Sequence, residues 1–313
     1  MQANQSKWTL RTLAAVAAVS SLACSVAFGG TIVRISTSIG DYSIELLDDE
    51  APLTVANFLG YVERNEYNAT YINRAVDNFV VQGGAYRFEL FEGPIDMPVA
   101  GTVVNEFGAS NVRGTVAMAK IAGDPDSASN QWFVNLADNS GSLDTDNGGY
   151  TVFGTVLGEG MAVLDAIDAL PYVSLGAKAP NAPYFTEFYS DPRVFVYINA
   201  EVVERFSTAH HVYENASGLL ITSVSVDGDE QLISLNFNSI ASELGFVIQA
   251  NSESVIPRQS RFDGIASYDS ASGVLTIPSL EVNMNGSVSV LSNVVFKLID
   301  AANARFLLDS YDN

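Results

Sequence analysis

The chain has 313 residues, and its 15 Lys and Arg against 36 Asp and Glu give a formal net charge of −21. Hydrophobic residues make up 48% of it, which excludes a disordered chain, and the length suggests two domains that each bury a core. The acidity argues against a nucleic-acid-binding protein, because phosphates need basic partners.

Cysteine and histidine are too scarce for several kinds of site. Cys24 is the only cysteine of the sequence, which excludes an intrachain disulfide framework and a CxxC zinc or redox site. His210 and His211 are the only histidines and are adjacent, so we interpret them as part of a polar connector rather than as a catalytic triad or metal site. The sequence implies no metal ion and no cofactor.

Residues 1–27 have the pattern of a secretory signal peptide. Lys7 and Arg11 precede an uncharged stretch from Leu13 to Ala27, which is too short to span a bilayer. Small residues at 25 and 27 indicate a cut after Ala27, and the alternative is a lipoprotein signal with Cys24 as the lipid-bearing residue. We therefore expect a periplasmic or secreted protein that meets a membrane only if Cys24 is lipidated.

The mature chain begins with β-structure and contains two helical patterns. Alternating runs at Thr31 to Ser36 and Tyr42 to Leu47 flank a turn and predict a β-hairpin. Pro52 to Val62 has the apolar spacing of an amphipathic helix, and a second such stripe follows Gly160 and ends before Pro171. Short strands, glycines and loops lie between them. This mainly β arrangement predicts a closed barrel whose open ends the helices plug.

The sequence that follows this barrel domain has a different residue pattern. We predict a barrel domain over residues 28–206, with a last strand at Val194 to Val203, and a polar linker over residues 207–217. Residues 218–313 contain strand-like runs separated by Gly, Asn, Asp and Ser, which predict an all-β module of sandwich type.

Three blocks of sequence carry the functional signal: YINRAVDNFVVQGG at 71–84, RGTVAMAKIAGDPDSASNQWF at 113–133, and SLD at 142–144 followed by YTVFG at 150–154. In this order and at these distances, residues 31–204 resemble a cyclophilin, a peptidyl-prolyl cis-trans isomerase, of the bacterial periplasmic kind. The resemblance implies an eight-stranded closed β-barrel capped by two helices. It also implies isomerisation of X-Pro bonds, with proline-containing peptides and unfolded exported proteins as partners.

The resemblance also implies roles for individual residues. Arg74 falls on the catalytic arginine of the family, and Ala119 and Lys120 fall on the segment whose backbone grips the peptide. The positions that match substrate-binding residues of the family are Phe79, Val80, Gln82, Ala119, Lys120, Gln131, Phe133, Leu143 and Tyr150.

Several positions depart from the usual pattern of the family. Ile72 and Asn73 replace the Phe-His that usually precedes the arginine, and Asp77 and Asn78 replace Pro-Gly. Val80 replaces a methionine, and Ser142 replaces an aromatic residue. These changes predict a smaller pocket, lower activity and weak binding of cyclosporin-like ligands. They also motivate the alternative that the protein is a catalytically weak or inactive scaffold that binds proline peptides. A third interpretation gives the main role to residues 218–313 as an attachment module.

Overall fold

The computed structural model describes residues 29–185, 192–228 and 232–312. They form two compact units. The N-terminal unit is Phe28–Phe206 with Ile256–Ser260, and the C-terminal unit includes Ser207–Val255 and Arg261–Asn313. The predicted signal peptide lies outside the described residues. Within the described stretches, no helix combines the length and the apolar character needed to cross a membrane.

The N-terminal unit is mainly β, as predicted. Its strands are β1 (Ile32–Thr37), β2 (Asp41–Leu46), β3 (Thr70–Tyr71), β4 (Arg74–Val76), β5 (Val80–Gly83), β6 (Tyr86–Glu89), β7 (Gly93–Asp96), β8 (Thr115–Met118), β9 (Trp132–Asn135), β10 (Val152–Val156), β11 (Tyr172–Val173), β12 (Ala182–Pro183) and β13 (Tyr197–Val203). Its helices are α1 (Pro52–Glu63), α2 (Ser140–Leu143) and α3 (Gly160–Asp168), with 3-10 turns at Asp146–Gly148 and Pro192–Val194.

The main sheet differs from the predicted closed barrel of eight strands. Among the described residues it has nine strands, in the order β3-β13-β1-β2-β10-β8-β9-β5-β4, and its edge strands β3 and β4 do not pair with each other. Ile72 and Asn73 connect these edges, and their amides donate instead to Val196 O and Gln82 O. Residues 70–76 therefore bond on one side to the chain around β13 and on the other side to β5, and β3 and β4 are consecutive parts of this segment with no ladder between them.

The locally patterned elements are confirmed. β1 and β2 pair antiparallel as the predicted hairpin, and the two predicted helices are α1 and α3. Pro52 begins α1, where its missing N–H costs no helical bond. The carboxylate of Glu106 accepts bonds from the amides of Leu53 (3.0 Å) and Thr54 (2.7 Å), which satisfies two free donors of the first turn.

One hydrophobic core joins the sheet to α1 and α3. Phe58 of α1 and Leu164 of α3 are completely buried in it, against strand residues such as Ile35 and Val134. Burial of each such side chain contributes roughly 1.5–3 kcal/mol of hydrophobic stabilisation. The apolar stripe that predicted each helix is therefore the face that holds it to the sheet. That α1 and α3 cap the two ends of this sheet stays a prediction.

In the residues that the structure describes, the C-terminal unit is all β, as predicted, but it is a closed barrel and not a sandwich. Seven strands close a ring in the order β14-β15-β16-β17-β21-β20-β19, because β14 pairs antiparallel with β15 and parallel with β19. The strands of this part of the chain are β14 (Val212–Glu214), β15 (Leu219–Val226), β16 (Leu232–Ile240), β17 (Val247–Arg258), β18 (Ala266–Asp269), β19 (Val274–Met284), β20 (Ser287–Asp300) and β21 (Arg305–Asp312).

The closing strand explains the difference from the predicted sandwich. β14 lies inside residues 207–217, which the sequence analysis interpreted as a linker, and its residues are buried. A parallel partner nearly 70 residues away in the chain, as in the pairing of Val212 with Glu281, leaves no local sequence pattern. The interior of the barrel is filled by apolar side chains such as Phe237, Ile277 and Phe296.

A buried ionic cluster ties together three segments of the N-terminal unit. Asp41 contacts Arg34 at 2.7 Å and Arg258 at 2.8 Å, and the two arginine side chains are only 5% and 2% exposed. Burial alone would raise the pKa of Asp41, but the two guanidinium groups outweigh it and lower the pKa from 3.8 to about 2. Asp41 is thus held in its charged form.

We expect Asp41→Asn to cost roughly 3–5 kcal/mol of unfolding free energy at pH 7, because it removes the carboxylate that both buried guanidinium groups contact. Since the pKa of Asp41 is lowered to about 2, its stabilising charge is fully present above about pH 4 and is lost as the pH falls towards 2. Urea unfolding at pH 7 and pH 3 measures both effects, and the variant should show the weaker pH dependence.

Asp165→Asn is the matched control, because the pair of Asp165 with Arg113 is exposed (52% and 45%). An exposed pair contributes about 1 kcal/mol or less. Equal losses in the two variants would contradict a stabilising role for the buried cluster.

Candidate functional site

A row of side chains crosses the sheet from β4 to β10. Arg74 of β4 lies opposite Gln82 of β5, and Gln82 lies opposite Phe133 of β9. Phe133 in turn faces Ala117 of β8, which faces Val152 of β10. Directly opposed residues of antiparallel strands point to the same face of a sheet. Strand pairing thus brings together three of the predicted site residues from different sequence blocks.

The opposite face of the same strands belongs to the main core. Val81, Val116 and Val134 alternate with the row and are completely buried in that core. The Trp132-Phe133 pair is divided in the same way, because Trp132 enters the main core while Phe133 faces the row. Alternation along the strands therefore separates the core from the site.

An apolar cluster, the site cluster, lies beside Gln82 on the row. Its buried members are Val80, Ala117, Phe133, Leu143 and Val152, and Leu47, Phe79, Ala109, Ala119 and Tyr150 pack against them while partly exposed. The rings of Phe133 and Tyr150 meet edge to face, with centroids 5.9 Å apart. The cluster thus offers a wall of partly exposed rings and aliphatic groups on a rigid buried base.

The Arg74 guanidinium stands at the edge of the site cluster. Its Nη1 donates to Gln82 Oε1 at 3.1 Å, and its Cζ lies 5.8 Å from the centroid of the Phe79 ring. Partial burial lowers the pKa of Arg74, although a guanidinium stays protonated in proteins. None of the ion pairs found among the described residues involves Arg74. Its charge is therefore held by a neutral amide and is not cancelled by a carboxylate.

Gln82 links Arg74 to a groove on the neighbouring surface. Its Nε2 donates to Gln131 Oε1 at 2.6 Å. The groove has a volume of about 340 Å³, and four predicted residues line it: Gln82, Ala119, Lys120 and Gln131. The site cluster and the groove are thus continuous through Gln82.

The ammonium group of Lys120 bonds to the protein's own backbone and does not point into solvent. Its Nζ donates to the carbonyls of Asn147 (2.9 Å) and Gly149 (2.6 Å), and it lies 4.8 Å from the centroid of the Tyr150 ring. Burial lowers the pKa of Lys120. The ammonium group therefore holds the turn before Tyr150 in place.

Several residues of the groove were not predicted from the sequence. Tyr86 and Asp96 line it from the β6–β7 hairpin, and the exposed side chains of Val99 and Ile121 lie along it. Burial and the nearby Asp96 carboxylate raise the pKa of Tyr86. The turn signal around Gly93 could have predicted the hairpin, but nothing local shows that its base meets the groove.

The structure explains why Asp77-Asn78 can replace Pro-Gly before Phe79. Asn78 has a φ of 51°, in the left-handed region that asparagine tolerates better than most side chains. Its amide donates to Asp168 Oδ2 at 3.2 Å, and the amide of Phe79 closes the turn on Val76 O at 2.9 Å. This departure leaves the turn that presents Phe79 intact.

Gly84, which ends the YINRAVDNFVVQGG block, is required by the backbone. Its φ is +95°, and a Cβ at this position would lie 2.6 Å from Asn130 O. The residue that follows β5 must therefore be glycine if Asn130 and Gln131 are to stay beside it.

Comparison with known proteins identifies the family. A family model for the cyclophilin type peptidyl-prolyl cis-trans isomerases matches residues 32–184. A peptidyl-prolyl cis-trans isomerase of Acinetobacter baylyi is 38% identical over 160 residues, which are 50% of this chain and 83% of that protein. Peptidyl-prolyl cis-trans isomerase A of Dickeya dadantii is 39% identical over 183 residues, which are 55% of this chain and 93% of that protein.

Among solved structures, a cyclophilin type isomerase of Cryptosporidium parvum is 20% identical, with a TM-score of 0.42 over 56% of this chain and 99% of that one. The sequence relatives are much nearer, and this chain spans most of their length. The resemblance stated from the sequence is confirmed: this chain belongs to the cyclophilin-type peptidyl-prolyl cis-trans isomerases.

Proposed function

We propose that this isomerase acts on X-Pro bonds of exported proteins, and that Arg74 donates a hydrogen bond to the prolyl nitrogen in the twisted transition state. The observation that carries the proposal is a half-buried guanidinium held by a neutral amide beside an apolar cluster. Proline-containing peptides are the substrates that fit this combination.

The reaction needs neither a nucleophile nor a bond-breaking step. Rotation about a peptide bond has a barrier of roughly 18–20 kcal/mol, because resonance gives the bond partial double-bond character. In the twisted state this resonance is lost, and the lone pair on the prolyl nitrogen becomes a hydrogen-bond acceptor. A donor aimed at that nitrogen therefore stabilises the transition state more than the planar ground state.

A guanidinium suits this task because it is always protonated and holds several donors in one plane. Gln82 accepts from Nη1 of Arg74, which orients the plane and leaves other N–H groups for the substrate. With no carboxylate partner in the described residues, the positive charge stays available to the nitrogen lone pair.

The site cluster supplies the second requirement, which is to hold the proline ring while the preceding carbonyl turns. Phe79 presents apolar surface next to Arg74, and Phe133 and Leu143 belong with Val80 to the buried part of the same cluster. Gln82 and Gln131 extend from this pocket into the groove, where the residues before the proline would lie.

The free energy that the acceleration requires exceeds what Arg74 alone can supply, so the pocket must contribute as well. An acceleration of roughly 10⁵-fold requires about 7 kcal/mol. One preorganised donor in a water-poor site supplies about 3–4 kcal/mol. Desolvation and a pocket shaped for the twisted amide must supply the rest. The exposed Ser142, which offers no aromatic surface to a ligand, supports our expectation of lower activity and weak cyclosporin binding.

Exported proteins are the proposed clients because residues 1–27 have the pattern of a signal peptide. Uncatalysed X-Pro isomerisation takes tens to hundreds of seconds and can limit folding. An isomerase sent to the same compartment as newly exported chains would remove that delay.

We expect Arg74→Ala to lower kcat/KM on an X-Pro peptide by roughly 10²–10³-fold, because it removes the donor to the prolyl nitrogen. Arg74→Lys should recover little of this, since an ammonium lacks the planar set of donors. NMR exchange spectroscopy or a protease-coupled assay measures the rate. Arg64→Ala, which removes an exposed arginine paired with Glu66, is the control and should be as active as the wild type.

The same assay tests the scaffold alternative. If the wild type and Arg74→Ala both show only the uncatalysed rate while the peptide still binds, the protein is a proline-peptide scaffold and the role of Arg74 is refuted.

Export is tested by fractionation of a Gram-negative host that expresses the full chain. We expect isomerase in the periplasmic fraction, with Phe28 as its first residue. Cys24→Ser should leave this result unchanged if the cut follows Ala27. A membrane-bound protein that becomes soluble in Cys24→Ser would establish the lipoprotein alternative, and retention in the cytoplasm would refute export.

A further inference from the structure

Three buried asparagines form a connected network behind the site cluster. Asn111 and Asn135 are 0% exposed and Asn139 is 8% exposed. Nδ2 of Asn135 donates to Asn111 Oδ1 at 3.2 Å and to Thr115 Oγ1 at 2.9 Å, and Nδ2 of Asn139 donates to Asn135 Oδ1 at 2.8 Å. We call Asn111, Asn135 and Asn139 the asparagine network.

The network bonds directly to three walls of the site cluster. The side-chain Nδ2 of Asn139 donates to Phe79 O at 2.9 Å, and the backbone carbonyl of Asn139 accepts from the amide of Leu143 at 2.9 Å. Nδ2 of Asn111 donates to Tyr150 O at 3.0 Å. Phe79 lies in the turn before β5, whereas Leu143 of α2 and Tyr150 lie in the connection between β9 and β10. The network thus joins two separate parts of the chain at the site cluster.

The network also continues through the backbone. The amide of Asn139 donates to Asn111 O at 2.9 Å, and the amide of Tyr150 donates to Leu143 O at 2.8 Å. Asn135 is the strand partner of Val80 at the base of the site cluster. Phe79, Leu143 and Tyr150 are thus each hydrogen-bonded to a member of the network.

Asparagine is the side chain that this position of Asn139 requires. Its amide nitrogen carries two donors, and both are used, one on Phe79 O and one on Asn135 Oδ1. Aspartate has the same shape but would place an oxygen against these two acceptor oxygens. Asn139→Asp would therefore leave Phe79 O and Asn135 Oδ1 without this donor.

We propose that Asn139 is a positioning residue for the proline pocket: through the asparagine network it holds Phe79, Leu143 and Tyr150 at the spacing that a proline ring requires. The inference rests on the proposed function, because it assigns the network to the pocket described above. It adds residues that touch neither the substrate nor Arg74.

The test compares Asn139→Asp with Asn68→Asp. Asn68 is a buried asparagine of the same unit, 1% exposed, whose Oδ1 accepts from the amide of Ala200 at 3.2 Å, and it is outside the network. Both changes are isosteric and both are expected to lower the melting temperature. Activity and binding are therefore measured well below both melting temperatures.

We expect Asn139→Asp to raise KM, and the Kd of an Ala-Pro-containing peptide by NMR titration, about 10-fold, which corresponds to about 1.4 kcal/mol. The effect falls on KM more than on kcat because the pocket contacts the proline ring in the ground state and the transition state alike. Arg74→Ala should show the opposite division, with the loss in kcat. Asn68→Asp should leave both KM and Kd at the wild-type values.

An unchanged KM and Kd in Asn139→Asp, or an equal rise in Asn68→Asp, would overturn the inference. If Asn139→Asp does not fold, Asn139→Ser keeps one donor and should give a smaller rise in Kd, whereas a wild-type Kd in this variant would also overturn it. Peptide binding is read without turnover, so a wild-type protein that binds but does not catalyse would refute the proposed function and not the role of Asn139.

Discussion

Successive side chains along β5, β8 and β9 point alternately to the two faces of the sheet, and both the core and the site depend on this alternation. One set of side chains in these strands, including Val81, Val116 and Val134, fills the main core, and the other set, including Gln82 and Phe133, faces the site. A shift of one residue in register would exchange the two sets. Burial of the core face therefore fixes which side chains face the site, and core stability and site geometry cannot be changed independently.

The second consequence of this arrangement is electrostatic. Arg74 reaches the edge of an apolar cluster, where a carboxylate partner would cancel its charge, and the strand register gives it Gln82 instead. Gln82 accepts from Arg74 on one atom and donates to Gln131 with the other, so one chain of polar contacts joins the pocket to the groove. The asparagine network supports the same pocket from behind. The donor and the pocket walls are thus preorganised by different sets of bonds.

Local sequence patterns predicted the elements whose cause is local. The β1–β2 hairpin, α1 and α3 each contain the periodicity that holds them against the core, and each is confirmed. The nine-strand order of the described sheet, the parallel pairing of β14 that closes the C-terminal barrel, and the contact of Asp41 with Arg258 were not predicted. Each depends on residues far apart in the chain, whose pairing leaves no short-range pattern.

The sequence by itself determined the family and the set of side chains for which we propose roles in the chemistry, because the order and spacing of its three blocks specify a guanidinium, two amides and several apolar groups. Only the tertiary structure decided how those groups are used. It turned the Lys120 ammonium into the carbonyls of Asn147 and Gly149, and it placed Asn139 behind Phe79. Spacing along the chain states which groups are available, whereas hydrogen-bond partners separated by tens of residues are chosen by the packing of strands and loops.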